Sequence, residues 1–327
     1  MSRRKLLKRL SFLDLISDDL ASVEEILTHQ PPGQHEAIGV AIDHLLGGGG
    51  KRLRPALVLL STRLCQANAS DALFAAAAVE MLHTATLVHD DLIDGALLRR
   101  GVETLNASWS PAATVLTGDY VFARAAHLAA RANNVDLMQR FAETLTIICN
   151  GEIRQMFNGR KGKMTRQEYE RRIYAKTASL IALSAESGAL LAHSEDNVRR
   201  ALKTYGEQVG LAFQIVDDVL DFVADEDTLG KPVGSDLRQG LITLPVLICL
   251  ESHSGDPALN EILQENPPKE IVEQVIQLVV DSSCTDLALD IARQHVAQAK
   301  GHLEIFPDSA YRQALSDLAD FTIRRRF

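Results

Sequence analysis

Two acidic pentads, Asp90-Asp91-Leu92-Ile93-Asp94 and Asp217-Asp218-Val219-Leu220-Asp221, stand 127 positions apart, each behind an apolar stretch, Thr84 to Val88 and Leu211 to Val216. The apolar residues recur at helical spacing, so each pentad reads as part of a buried or cleft-facing helix. On a helix, positions i and i+4 share a face and i+1 lies about 100° round. Two or three carboxylates are thereby aimed into one small volume. Such anions repel one another and resist desolvation unless cations neutralise them. Oxygen-only ligands suit a hard ion, and Mg²⁺ held by a few carboxylates keeps other positions for water and phosphate oxygens. One pentad among 43 acidic residues would be an ordinary solvated face. Two copies embedded in apolar sequence instead predict facing motifs that clamp a polyphosphate through a metal cluster.

The rest of the chain predicts a helical setting. Apolar residues make up 46% of the 327 but aromatics only 5%, with Ala and Leu abundant, which favours helix over sheet. Helical periodicity recurs almost everywhere and no convincing alternating strand is found. Breakers divide the chain at Pro31-Pro32-Gly33, Gly47 to Gly50, Pro111, Asn158 to Lys163, Asp225 to Gly240, Ser252 to Pro257, Pro267-Pro268 and Pro307. The longest helices are expected over about 71–98 and 197–222, each carrying a pentad near its C-terminal end. No linker is long or polar enough to separate distinct domains, so the expectation is one all-α domain, 1–327, a large bundle with its site between facing helices.

The net charge of −9 argues against a nucleic-acid partner. Cys65, Cys149, Cys249 and Cys284 lie far apart in apolar contexts without paired zinc spacing. They read as buried free thiols of a reducing, cytoplasmic compartment. No apolar run reaches the roughly 18–20 residues of a membrane span. Arg3, Arg4, Lys5, Lys8 and Arg9 read as a solvated first helix with at most weak attraction to an anionic membrane surface.

Two loops carry further chemistry. Gly47-Gly48-Gly49-Gly50-Lys51-Arg52-Leu53-Arg54-Pro55 sets a flexible run before three cations and a helix-starting proline. Glycines permit close backbone approach to a phosphate, and the cations can bind it. It is not a Walker loop, because Arg52 follows the lysine; taken alone, such a turn is more often a linker. The second loop, Asp227 to Asp236, follows the second pentad directly and is placed to cover a cleft.

In order along the chain, Gly49-Gly50-Lys51-Arg52-Leu53-Arg54-Pro55, His83 through Asp94, Arg99-Arg100, Lys176-Thr177, Phe213-Gln214 leading into Asp217 to Asp221, Gly230-Lys231 and Gly234-Ser235-Asp236-Leu237 resemble the trans-prenyl diphosphate synthases of the long-chain type. The resemblance covers nearly the whole chain and implies an all-α fold around a deep central cavity, in a homodimer. It implies an allylic diphosphate bound under both Asp-rich motifs through three Mg²⁺ ions. Asp90, Asp94 and Asp217 are then the best ligand candidates, while Asp91, Asp218 and Asp221 are ligands or orient metal-bound water. Arg99, Lys176, Thr177, Gln214 and Lys231 match positions that contact the allylic diphosphate. Lys51, Arg52, His83 and Arg100 match those that hold isopentenyl diphosphate. Standing alone, Arg99-Arg100 could equally be cations at a helix C-terminus, and His83 a core histidine.

What the resemblance implies chemically is elongation of the allylic diphosphate by one five-carbon unit from isopentenyl diphosphate, with no organic cofactor. Ala85, Thr86 and Leu82, upstream of Asp90, are expected to line the path of the growing tail. Small residues at 85 and 86, where short-chain members often carry an aromatic ring, imply a hexaprenyl-to-decaprenyl product of the kind used for quinone side chains. The alternatives are a farnesyl or geranylgeranyl diphosphate synthase, or a non-catalytic subunit of a heteromeric synthase. One departure is visible: Gly240-Leu241-Ile242-Thr243-Leu244-Pro245 has Leu241 where the family often has lysine.

Overall fold

In a computed structural model, residues 11–47, 50–99, 101–158, 164–223, 232–264 and 266–324 are described. Arg100 and Lys231, together with Gly48, Gly49, Gly230 and the N-terminal basic residues, lie outside them. The described residues are overwhelmingly helical, and their one sheet is a hairpin of two two-residue strands, Leu98–Arg99 and Val102–Glu103. The all-α expectation holds. The chain folds into two compact units, each drawn from separated segments: 1–144, 180–203 and 303–318 in the first, 145–179, 204–302 and 319–327 in the second.

The first unit is built on the helix Ala69–Ile93, which packs against Pro111–Arg131, Leu53–Leu64 and Ser17–Thr28. Asn68 caps it by accepting from the Ser70 N–H at 3.0 Å. Ala72 and the run Ala75 to Ala78 are buried, and their small side chains let neighbouring helices come close. By length and composition this helix could cross a membrane, but 67% of its most apolar window is buried inside the fold, as in a core helix. Leu57, Leu59, Leu60, Met81 and Leu82 fill the space around it. Each such burial contributes about 1.5–3 kcal/mol.

The helix ends at Ile93, short of the expected 98. Asp94 caps the last turn, its N–H donating to Asp90 O at 2.8 Å, and Gly95 follows at φ +62°. An Asp-Gly pair just past an amphipathic run is a stop signal that the hydrophobic pattern alone overrides on paper. Leu98 and Arg99 therefore belong to the hairpin, whose turn uses Gly101 at φ +76°.

The second unit holds the other long acidic segment, residues 204–223 of the helix Asp196–Val223, with Tyr205 and Phe222 among its fully buried side chains. Arg166–Ile173 opens on a capping box between Thr165 and Glu168 and runs directly into a π-helical turn, Tyr174–Ala178. Leu244–Ser252 packs on Cys284–His302 and Lys269–Asp281. Between the first two of these helices Cys249 and Cys284 form a disulfide, with Cα atoms 5.7 Å apart. The expectation of four buried free thiols is thus corrected: the turn before Cys284 returns the chain to Leu244–Ser252, a proximity that 35 residues of separation do not reveal. Of the other two, Cys65 is half-buried and Cys149 exposed.

Gly188 in the first unit has its N–H 3.2 Å from Ser61 Oγ, and a Cβ there would overlap the Ser61 backbone. Gly188→Ala should destabilise the protein by about 1–3 kcal/mol or more, because overpacking against backbone has no cheap relief. Urea denaturation of the two proteins measures it; equal midpoints would show that the two helices separate freely.

Candidate active site

One acidic motif lies in each unit. In the first, Asp90 and Asp94 lie one turn apart at the C-terminal end of Ala69–Ile93, Asp90 half-buried and Asp94 exposed. Asp91, about 100° round the helix, is buried. It is held by Arg99, whose Nε and Nη2 lie 2.8 Å from its Oδ1. The hairpin that interrupts the expected helix is what returns Arg99 to this carboxylate. Asp91 is therefore engaged by a cation of the protein itself, while Asp90 and Asp94 share the more open face. His83 and Thr86 sit upstream on that same side, both half-buried, with Thr86 Oγ1 donating to His83 O at 2.8 Å.

Arg52 caps the helix Leu53–Leu64 from a left-handed conformation, φ +51°. Its Nε donates to Glu24 at 2.5 Å and its Nη1 to Glu80 at 2.8 Å. Burial opposes its charge, but the Glu24 hydrogen bond and the field of Glu80 more than offset this and raise its pKa further. Glu80 is itself buried, with 6% of its surface exposed. Arg52 is thus fixed by two carboxylates, while Lys51 beside it is exposed. Sequence reasoning paired neither Glu24 nor Glu80 with Arg52. The available signal was that Glu80 is the one charged residue between Leu73 and Met81, where an unpaired carboxylate would be costly.

In the second unit a hydrogen-bonded chain runs through the expected residues. Thr177 Oγ1 donates to Gln214 Oε1 at 2.7 Å, Gln214 Nε2 donates to Asp218 Oδ1 at 2.8 Å, and the Tyr169 hydroxyl donates to Asp218 Oδ2 at 2.7 Å. Gln214 and Asp218 are i and i+4 on one helix, so the helix sets their contact. The π-helical turn presents Lys176 and Thr177 in succession, Lys176 Nζ lying 3.2 Å from Glu152. Such turns add one residue to a helix and are frequent at functional sites. Burial pushes the Asp218 carboxyl up to about 7, against the pull of its Gln214 and Tyr169 hydrogen bonds. The Tyr169 hydroxyl is raised well above its ordinary value by burial and by Asp218. Tyr169 was missed in the sequence because a tyrosine in a polar run looks like a surface residue.

Asp217 and Asp221 are half-buried beside Asp218. The last residues of the second loop fold back on this end: Gly234 N–H donates to Asp221 O at 2.8 Å and Asp236 N–H to Asp221 Oδ2 at 3.1 Å. Gly234 is required there, at φ +69° with Ile276 Cδ1 2.6 Å from where a Cβ would stand. Close to Leu241 lies Arg172, its Nη2 donating to Ile242 O at 2.7 Å and its charge lowering the pKa of Asp218. The three chain-length candidates differ in exposure. Ala85 and Leu82 are fully buried, Ala85 about 140° round the helix from Asp90, whereas Thr86 is half-buried within about 40°. In each unit the donors suit a hard divalent cation, being carboxylate oxygens only, with Asp90 and Asp94 in the first and Asp217 and Asp221 in the second at i and i+4.

Residues 35–279 match the family described as polyprenyl synthetase. Component 2 of the heptaprenyl diphosphate synthase of Geobacillus stearothermophilus is 38% identical over 98% of this chain and 100% of its own length. The octaprenyl diphosphate synthase of Haemophilus influenzae is 33% identical over 96% of each. A polyprenyl synthase from Caulobacter crescentus, solved with calcium and isoprenyl diphosphate, superposes with a TM-score of 0.88 at 36% identity, covering 97% of both chains. The chain belongs to the polyprenyl synthetase family and is a prenyltransferase.

Tyr169→Phe should cost the metal-free protein about 1–3 kcal/mol, since it leaves one oxygen of a buried carboxyl without its donor. A double-mutant cycle with Asp218→Ala, read by denaturant unfolding, checks the assignment; zero coupling energy would show that the bond contributes nothing.

Proposed function

We propose that this chain is a Mg²⁺-dependent, long-chain trans-polyprenyl diphosphate synthase that elongates an allylic diphosphate with isopentenyl diphosphate. The observation that carries the reading is that both acidic motifs are complete, each supported by its own framework, Arg99 behind Asp91 and Tyr169 with Gln214 behind Asp218. Asp90, Asp94 and Asp217 would hold the metal ions, three in number by the family resemblance. When bound, the metal neutralises the diphosphate and stabilises its departure.

The protein's own groups do the rest. Lys176, Thr177 and Arg99 orient the allylic diphosphate, and Arg172 adds positive charge where Leu241 withholds it. Lys51, Arg52 and His83 take isopentenyl diphosphate, with Arg52 preset by Glu24 and Glu80 rather than recruited on binding. The apolar wall of the Ala69–Ile93 helix keeps water from the allylic cation while the double bond attacks. Arg100 and Lys231 keep the roles the resemblance gives them.

Asp90→Ala and Asp217→Ala should each lower turnover by about 10²–10³-fold or more with the helical fold retained, and a chelator should abolish wild-type activity until Mg²⁺ is restored. Steady-state assays beside circular dichroism measure this, and near-normal rates in both variants would reject the metal mechanism. The same assay on the purified single chain separates a self-sufficient homodimer from a subunit that needs a second component, a question raised by the component 2 relative.

Product length should respond to Thr86. A ring in Thr86→Phe stands on Asp90's side of the helix, one turn upstream, where a growing tail cannot share its volume. Chromatographic sizing of the products should show a shift towards farnesyl or geranylgeranyl diphosphate. An unchanged distribution from an active variant would place the tail against another wall.

A further inference from the structure

Away from these residues, the second unit gathers a different set of ligands. Cys249 and His253 lie at i and i+4 on Leu244–Ser252 and its C-cap, and Cys284 opens the helix Cys284–His302. The two sulfurs and a ring nitrogen of His253 all lie within 4.8 Å of one another. Both cysteines are buried, whereas His253 is exposed, so the imidazole forms the solvent-facing rim. Ser282 Oγ lies 3.3 Å from Cys249 Sγ and accepts from the Cys284 N–H, which ties the turn before Cys284 to the sulfur pair.

We propose that the reduced form of this pair, with His253, is a binding site for a thiophilic divalent cation of the zinc class, and that closing the disulfide switches the site off. Two thiolates and an imidazole are a soft to borderline donor set, unlike the all-oxygen carboxylates of the acidic motifs, so the two kinds of site select different metals. Three protein ligands with an exposed edge leave the fourth position to water. The Ser282 hydroxyl supports the Cys249 sulfur from behind, as ligand-orienting partners do in thiolate sites. Cys284 stands at the start of a 19-residue helix, where the helix field favours a thiolate. A pair serving only as a crosslink has no need of a histidine at its rim.

The switch balances chemically. A dithiol reductant gives two electrons and two protons to the Cys249–Cys284 bond and becomes a disulfide itself; the cation then displaces the two thiol protons. Oxidation by a small-molecule disulfide runs the exchange in reverse and expels the metal. The site sits on the helix that follows Leu241 and Ile242, whose carbonyl accepts from Arg172.

Cobalt(II) tests this without reference to prenyl transfer, because sulfur-to-cobalt charge-transfer absorption reports thiolate ligation and the carboxylates contribute none. The reduced, chelator-treated full chain should gain this absorption with saturation at one equivalent, and Zn²⁺ should displace it. Replacing Cys65 and Cys149 together by serine should leave it intact. Cys284→Ser should abolish it, and His253→Ala should weaken binding by about 10–100-fold. Unmutated protein oxidised with a small-molecule disulfide should show none, a comparison that needs no variant to fold. Absence of the band in reduced wild type, its survival in Cys284→Ser or in oxidised protein, or unchanged affinity in His253→Ala would overturn the proposal.

Discussion

Asp218, with 3% of its surface exposed, occupies a place where a carboxylate is expensive. The second unit is organised around meeting that cost. Tyr169 and Gln214 each donate to one of its oxygens, Thr177 fixes Gln214, and the π-helical turn carries Thr177 inward with exposed Lys176 beside it in sequence. The helix that carries Asp218 also carries Asp217 and Asp221, so ordering one acid orders its neighbours. The first unit meets its equivalent, buried Asp91, with an ion pair to Arg99 delivered by the hairpin. Asp91 is met by an ion pair, whereas Asp218 is met by two neutral donors with the charge of Arg172 near it.

Much of this was legible in the sequence. The helical class followed from periodicity and composition, and the family followed from the order of its motifs. Thr177, Gln214 and Asp218, named separately, prove to be one hydrogen-bonded chain. What the sequence withheld were partners distant along the chain. Glu24 and Glu80 are each 28 positions from Arg52, Tyr169 is 49 from Asp218, and Cys249 is 35 from Cys284. No local pattern encodes such pairings; they depend on which helices pack together. The end of the first acidic helix was misplaced for another reason, since apolar spacing through Leu97 and Leu98 outweighed the Asp94-Gly95 stop.

Arg52 is a cation whose position is set by the fold itself. A non-glycine residue at φ +51° is uncommon, and here two carboxylates and the start of a helix hold it. The energy that fixes this side chain is supplied on folding, and a ligand does not have to supply it again. Glu80, buried in the helix Ala69–Ile93, links the position of that cation to the positions of Asp90 and Asp94.

The π-helical turn at Tyr174–Ala178 has a consequence for how this chain can vary. It holds one residue more than an α-helical turn needs, and that surplus sets the rotational phase of everything after it. Deleting a single residue there would let the segment relax into a regular helix and turn Thr177 by about 100° relative to Tyr169. The number of residues in the turn therefore matters alongside the identity of Thr177, whose hydroxyl must still reach Gln214. Length, at this point in the chain, constrains the structure as much as identity does.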